Sequence, residues 1–116
     1  MTVRAASVVR QATGVPAVLV TWVALAIGDT GEPVSLLDYP DKTVTVEGTI
    51  GGGTLTMQGS NDGTNYYSLT DPQGSAIALT AAGIKLITEN PVWIRPSASG
   101  GAPTFQVRIL CRRSTR

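Results

Sequence analysis

The stretch Thr54-Leu55-Thr56-Met57-Gln58-Gly59-Ser60-Asn61-Asp62-Gly63-Thr64-Asn65-Tyr66-Tyr67-Ser68-Leu69 decides the fold. Over residues 54–58, Leu55 and Met57 alternate with Thr54, Thr56 and Gln58. A period of two belongs to a strand with one buried face. Residues 60–63 then combine Asn and Asp, whose side chains bond their own backbone, with a Gly free to take positive φ. Asn61, Asp62 and Gly63 are therefore read as a structural turn. Residues 66–69 return as the second arm of a hairpin.

The same punctuation runs outward in both directions. Upstream, residues 42–47 place Val44 and Val46 on one side and Thr43, Thr45 and Glu47 on the other. Residues 18–26 are β-rich and almost continuously apolar between Pro16 and Gly28, with Trp22 as a large anchor. Gly28-Asp29-Thr30-Gly31 reads as a turn, and residues 33–39 cross to the next element. Downstream, residues 71–74 form a turn, residues 76–80 a short strand and residues 81–83 a bend. Residues 84–87 are too short for a helix. Asn90-Pro91 opens a strand that Pro96 closes, and residues 97–103 form a Gly/Ser loop. On the last strand Phe105, Val107, Ile109 and Cys111 alternate with Gln106, Arg108, Leu110 and Arg112.

About eight short strands with Gly, Pro and Asn turns predict an all-β chain, an antiparallel β-sandwich or jelly roll. No segment holds a 3.6-residue period over three turns. The expected division is an N-terminal arm over residues 1–17, the sandwich over 18–113 and a tail over 114–116. Residues 1–12 are open between a short helix and an extended arm. The predicted core anchors are Trp22, Val44, Val46, Leu55, Met57, Phe105, Val107 and Ile109.

Composition sets the limits on chemistry. The 116 residues suit one domain, which buries roughly two-thirds of its unfolded surface without metal or disulfide staples. There is no histidine and one cysteine, and charged residues are 15% of the chain, against about 25% in ordinary domains. The commonest general base and metal ligand is thus missing, and a lone cysteine builds neither an internal disulfide nor a thiolate cluster. No enzymatic activity, metal or cofactor is expected. The apolar run after Arg4 and Arg10 superficially resembles a secretory signal. Gln11, Thr13, Gly14 and Pro16 interrupt it, and it is far shorter than the ~20 apolar residues of a membrane span. A buried strand is the better reading, and no membrane partner is expected.

The net charge of +1 conceals a segregation along the chain. Residues 1–28 carry only Arg4 and Arg10, a charge of +2. Residues 29–89 carry eight acids against Lys42 and Lys85, a charge of −6. Residues 90–116 carry Arg95, Arg108, Arg112, Arg113 and Arg116, a charge of +5. Basic ends around an acidic middle suit self-stacking or an acidic partner. Arginine makes bidentate carboxylate pairs and tolerates burial, which favours an interface over a solvated tail. Arg4, Arg10, Arg108, Arg112, Arg113 and Arg116 are the candidate contacts.

Three short motifs invite sharper chemistry. Asp29-Thr30-Gly31 matches the tripeptide of aspartic proteases, but Asp-x-Gly is also ordinary turn chemistry, and Glu32 and Pro33 follow at once. Residues 60–65 offer several oxygens, yet a calcium loop needs more carboxylates in register and a terminal Glu. Cys111 falls on an apolar face with no base beside it. Nucleic-acid stacking needs exposed aromatics beside basic residues, whereas Tyr66 and Tyr67 lie in the acidic middle. Neither a small-molecule substrate nor direct nucleic-acid binding is expected.

Taken in order, the motifs form a longer pattern. Trp22, Gly28-Asp29-Thr30-Gly31 and Pro33 precede Val46-Glu47-Gly48-Thr49-Ile50-Gly51-Gly52. Residues 58–66 follow, then Leu69, Asp71-Pro72-Gln73-Gly74, Pro91-Val92-Trp93-Ile94-Arg95-Pro96, Gly100-Gly101 and Arg112-Arg113. Over residues 18–113 this resembles small structural proteins of tailed bacteriophages, in particular capsid decoration or cement proteins with a jelly-roll-like fold. The resemblance implies a virion protein on the capsid surface. Its partners would be the major capsid protein and further copies of itself, as a homodimer or homotrimer. The string over residues 59–66 also occurs in discoidin-like and carbohydrate-binding sandwiches. That leaves a glycan-binding module as an alternative, with Tyr67 or Trp93 as the aromatic, beside a connector or fibre component.

Overall fold

The computed structural model describes residues 3–10, 17–37 and 39–112, and it is all-β. The described strands are β1 (Val3–Arg4), β2 (Ser7–Arg10), β3 (Ala17–Leu25), β4 (Thr30–Gly31), β5 (Asp41–Thr49), β6 (Thr54–Ser60), β7 (Tyr67–Ser68), β8 (Ala78–Leu79), β9 (Gly83–Ile87), β10 (Trp93–Ser99) and β11 (Thr104–Arg112). They form two sheets. The first runs β1-β4-β10-β6-β7, with β8 also on β6; the second runs β2-β3-β11-β5-β9. Pairing is antiparallel throughout except between β1 and β4.

The alternation seen in the sequence becomes the core between the sheets. Trp22, Val44, Val46, Leu55, Met57, Phe105, Val107 and Ile109 are all buried, joined by Val20, Leu25, Ile77 and Ile94. Each such side chain contributes roughly 1.5–3 kcal/mol relative to leaving it in water. One irregularity is needed to fit β3. Trp22 pairs with Val107 and Leu25 with Phe105, so β3 has one more residue than β11 in that interval. Ala24 takes φ 59° there. This bulge turns both Trp22 and Leu25 inward although they are three residues apart. The Trp22 indole N–H donates to the Glu32 carbonyl at 3.0 Å.

The described part of the N-terminal arm is extended. β1 lies at the edge of the first sheet and β2 at the edge of the second, so residues 3–10 cross from one layer to the other.

Two expectations fail for one shared reason. Pro96 does not close its strand: β10 continues to Ser99, so the loop expected over residues 97–103 is shorter. Gly31 does not belong to the turn, because Thr30 and Gly31 form β4. The amide and carbonyl of Ile94 bond Val34, and those of Ala98 bond Asp29 and Gly28, so the intervening Pro96 nitrogen faces the same neighbour. Proline has no N–H to offer there. A Cβ on Gly31 would stand 2.5 Å from Pro96 Cδ and 2.7 Å from Trp22 Cδ1. Glycine at 31 therefore leaves room for the ring that replaces a ladder hydrogen bond.

Candidate functional site

The Asp29 turn is built to be rigid. Asp29 is buried, and its Oδ2 accepts hydrogen bonds from the Ala26 amide and Arg4 Nε, each at 3.0 Å. The Ala98 amide donates to its carbonyl at 2.9 Å. The Glu32 carboxylate accepts from the Ala6 amide at 3.0 Å. Residues 29–32 thus hold β1 and Ala6 beside the first sheet.

The 60–66 loop is closed by its own side chains. Asp62 Oδ1 accepts from Ser60 Oγ and from the Thr64 and Asn65 amides, each at 2.8 Å. Asn65 Nδ2 donates to Oδ2 at 2.8 Å. The amide donors of Asn65 and Thr64, followed by the side chains, hold the Asp62 carboxyl well below the ordinary carboxylate range. Gly63 takes φ 79°, and Asn61 Oδ1 accepts from the Val92 amide at 3.2 Å.

Aromatic side chains flank this loop. The Arg95 guanidinium stacks 3.8 Å over the Tyr66 ring and donates to Gln58 Oε1 at 3.0 Å. Trp93 stands beside Gly63, and Tyr67 is 73% exposed. Tyr67, Asn61, Asn65 and Glu89 border an open groove of about 430 Å³. Burial opposes ionisation of Glu89, but bonds from the Thr70 hydroxyl and amide outweigh it and keep its pKa lowered. The carboxylates of this groove are already engaged within the chain.

The basic residues meet acids in space although they are segregated along the chain. Arg4 pairs with Asp29, Lys85 with Asp71 at 3.1 Å, Arg108 with Glu47 and Arg112 with Asp41 at 3.7 Å. The cause is topology: the basic C-terminal strand β11 is inserted beside the acidic β5. Among the described residues, three of the terminal arginines, Arg4, Arg108 and Arg112, are thus paired with acids of the middle segment. The Arg10 side chain, Arg113 and Arg116 lie outside the described residues.

One polar residue escaped the sequence reading. Lys42 is fully buried, donating to the Tyr39 carbonyl at 2.9 Å and Asn90 Oδ1 at 2.7 Å. Asn90 Nδ2 in turn donates to the Leu37 carbonyl at 3.1 Å. Desolvation lowers the Lys42 pKa against the pull of Cys111 and Asp41. The signal was present, since Lys42 is in phase with Val44 and Val46. Cys111 lies opposite Lys42 in register, and burial pushes its thiol up to about 12. A thiol held protonated is a packing group. Among the described residues no group of three or more Cys, Asp or Glu side chains is placed to hold a metal ion.

No protein-family model matches the chain, and no curated protein matches it. Solved structures do share its fold. The SPBc2 prophage-derived protein YomS superposes with a TM-score of 0.64 at 7% identity, over 87% of this chain and 98% of YomS. A Cupin 2 conserved barrel domain protein from Salinispora arenicola CNS-205 superposes with a TM-score of 0.51 at 10% identity, over 92% of this chain and 73% of that one. At these identities the likeness is one of fold.

Proposed function

We propose that the chain is a non-enzymatic structural protein of a tailed-bacteriophage virion. In this reading it is a capsid decoration protein that binds the outer surface of the major capsid protein lattice and stabilises the head. The observation that carries the reading is the likeness in fold to a prophage-derived protein, over 87% of this chain and 98% of that one. The ordered turn motifs over residues 18–113 point the same way. The mechanism is mechanical: copies added across neighbouring shell subunits clamp them, and many modest contacts act together as an array. Of the basic candidates, Arg108 and Arg112 lie on the outer side of β11, and Arg113 and Arg116 follow them in the sequence.

The test is the copy number on purified particles. A decoration protein is present in numbers comparable to the shell subunit, whereas a connector or fibre component appears in tens of copies or fewer. Replacing Arg112, Arg113 and Arg116 together by Ala should lower occupancy on heated particles and leave the isolated fold intact. Unchanged occupancy would remove the arginine cluster from the interface. A second reading, a glycan-binding module, draws support from exposed Tyr67 beside Asn61 and Asn65. It requires a saccharide that loses binding on Tyr67→Ala.

A further inference from the structure

Ion pairing divides the acids of this chain into two groups. Among the described residues, Asp29, Asp41, Glu47 and Asp71 each pair with a cation, whereas Glu32, Asp62 and Glu89 pair with none. Two of these three, Asp62 and Glu89, border the same groove of about 430 Å³, and none of the described lysines and arginines lines it. Their hydrogen bonds come from amides and hydroxyls of Ser60, Thr64, Asn65 and Thr70, all neutral donors. Such bonds favour the ionised carboxylate without cancelling its charge. Both groups titrate below their ordinary range and are ionised at neutral pH. An ionised carboxylate offers about four lone-pair sites. Asp62 Oδ2 accepts from Asn65 Nδ2, and the Glu89 oxygens accept from Thr70, which leaves acceptor sites on both groups.

The floor of the groove is apolar. Pro91 and the buried Leu69 close over Gly59, where a Cβ would stand 2.6 Å from Pro91 Cγ and 2.7 Å from Leu69 Cδ2. The exposed Tyr67 forms part of the rim. An apolar floor with carboxylates and an aromatic ring at the rim suits a long side chain, apolar along its stem and cationic at its tip. The fold already holds such a pairing on the neighbouring residue, where the Arg95 guanidinium stacks 3.8 Å over the Tyr66 ring. A planar guanidinium both stacks on an aromatic face and bonds carboxylates through a fork of donors, whereas an ammonium is a point charge. Arginine is therefore a better match than lysine.

We infer that this groove takes an arginine side chain of a partner protein, its stem over Pro91 and Leu69 and its guanidinium among Asp62, Glu89 and the Tyr67 ring. The arginines Arg4, Arg108 and Arg112 of a second copy are held in ion pairs of their own, which favours a different protein as the source. The inference rests on the proposed function, in which that partner is the shell subunit, and names the side chain the shell must present. It is tested with the isolated full chain and a peptide, so its failure is distinguishable from absence of the protein on the capsid.

The probe is a blocked Gly-Arg-Gly peptide, with a citrulline counterpart that keeps the planar head and loses the charge. Titrated into the isotope-labelled chain, the arginine peptide should shift the NMR amide signals of Asn65, Tyr67 and Ser68. It should bind at least about fivefold more tightly than the citrulline peptide, and less tightly as salt is raised. Tyr67→Ala, at an exposed position, and Glu89→Gln should each weaken it at least about threefold. Glu32→Gln, at a carboxylate outside the groove, should change nothing, and circular dichroism reports whether each variant is folded. Groove amides unmoved at about 20 mM peptide, or citrulline binding as well as arginine, would overturn the inference. So would binding indifferent to Tyr67→Ala and Glu89→Gln. A peptide that binds only once residues 113–116 are removed would overturn it too, since the chain's own arginines would then be the occupant.

Discussion

Gly31→Ala is the perturbation that best separates a turn glycine from one required by close approach. A Cβ at residue 31 would lie 2.5 and 2.6 Å from Pro96 Cδ and Cγ and 2.7 Å from Trp22 Cδ1. These distances are about 0.7–0.9 Å short of ordinary van der Waals contact near 3.4 Å. Neither neighbour yields easily. Pro96 is paired with Met57 inside β10, and Trp22 is fully buried with its indole bonded to the Glu32 carbonyl. Overpacking costs about 1–3 kcal/mol, and two rigid rings put this site at about 3 kcal/mol. For a domain of this size that is a fall in Tm of about 10–15 °C.

Gly28→Ala supplies the contrast. Gly28 has φ 80° with open space around the added atom, so its cost is the left-handed backbone penalty alone, about 1–2 kcal/mol. Urea denaturation of both variants, with Pro96→Ala and the Gly31→Ala/Pro96→Ala double variant, measures the coupling. The steric account requires a coupling of about 1 kcal/mol or more between residues 31 and 96. A Gly31→Ala variant as stable as wild type, or less destabilised than Gly28→Ala, would refute it.

Two further predictions concern titration. The Lys42 pKa is lowered in the folded state, so the unfolded chain binds more protons between that value and 10.5. Stability from this group therefore rises with pH across that window. The wild-type chain should gain stability relative to Lys42→Met as denaturation is repeated from pH 7 to pH 10; a constant difference would show that Lys42 is not desolvated. Asp71 behaves oppositely. The Lys85 ammonium, helped by the Ser75 and Gln73 amides, lowers its pKa from 3.8, giving stability that is present above 3.8 and lost as pH falls through the folded value. Asp71→Asn should melt lower than wild type at pH 7, and the gap should narrow as melts are taken down to pH 2.

Where pattern is local, the sequence was sufficient. Alternation over residues 42–47, 54–58 and 105–111 determined which side chains face the core, because a strand sends successive residues to opposite sides whatever it pairs with. The hairpin at residues 54–69 was equally legible, since Ser60, Asp62, Gly63, Thr64 and Asn65 close it through bonds spanning two or three residues. The DTG tripeptide was legible only in part: Asp29 anchors a turn, but the reason for Gly31 lies 65 positions away in Pro96.

Everything that depends on who lies beside whom required the tertiary structure. Charges segregated along the chain meet where β11 is inserted between β3 and β5, which brings Arg108 to Glu47 and Arg112 to Asp41. Lys42 is tolerated in the core because Asn90, 48 residues distant, accepts from its ammonium. Composition and alternation belong to the chain and set the two faces of each strand. Strand order and register depend on contacts between distant residues, and they decide which outward faces become surfaces for another molecule.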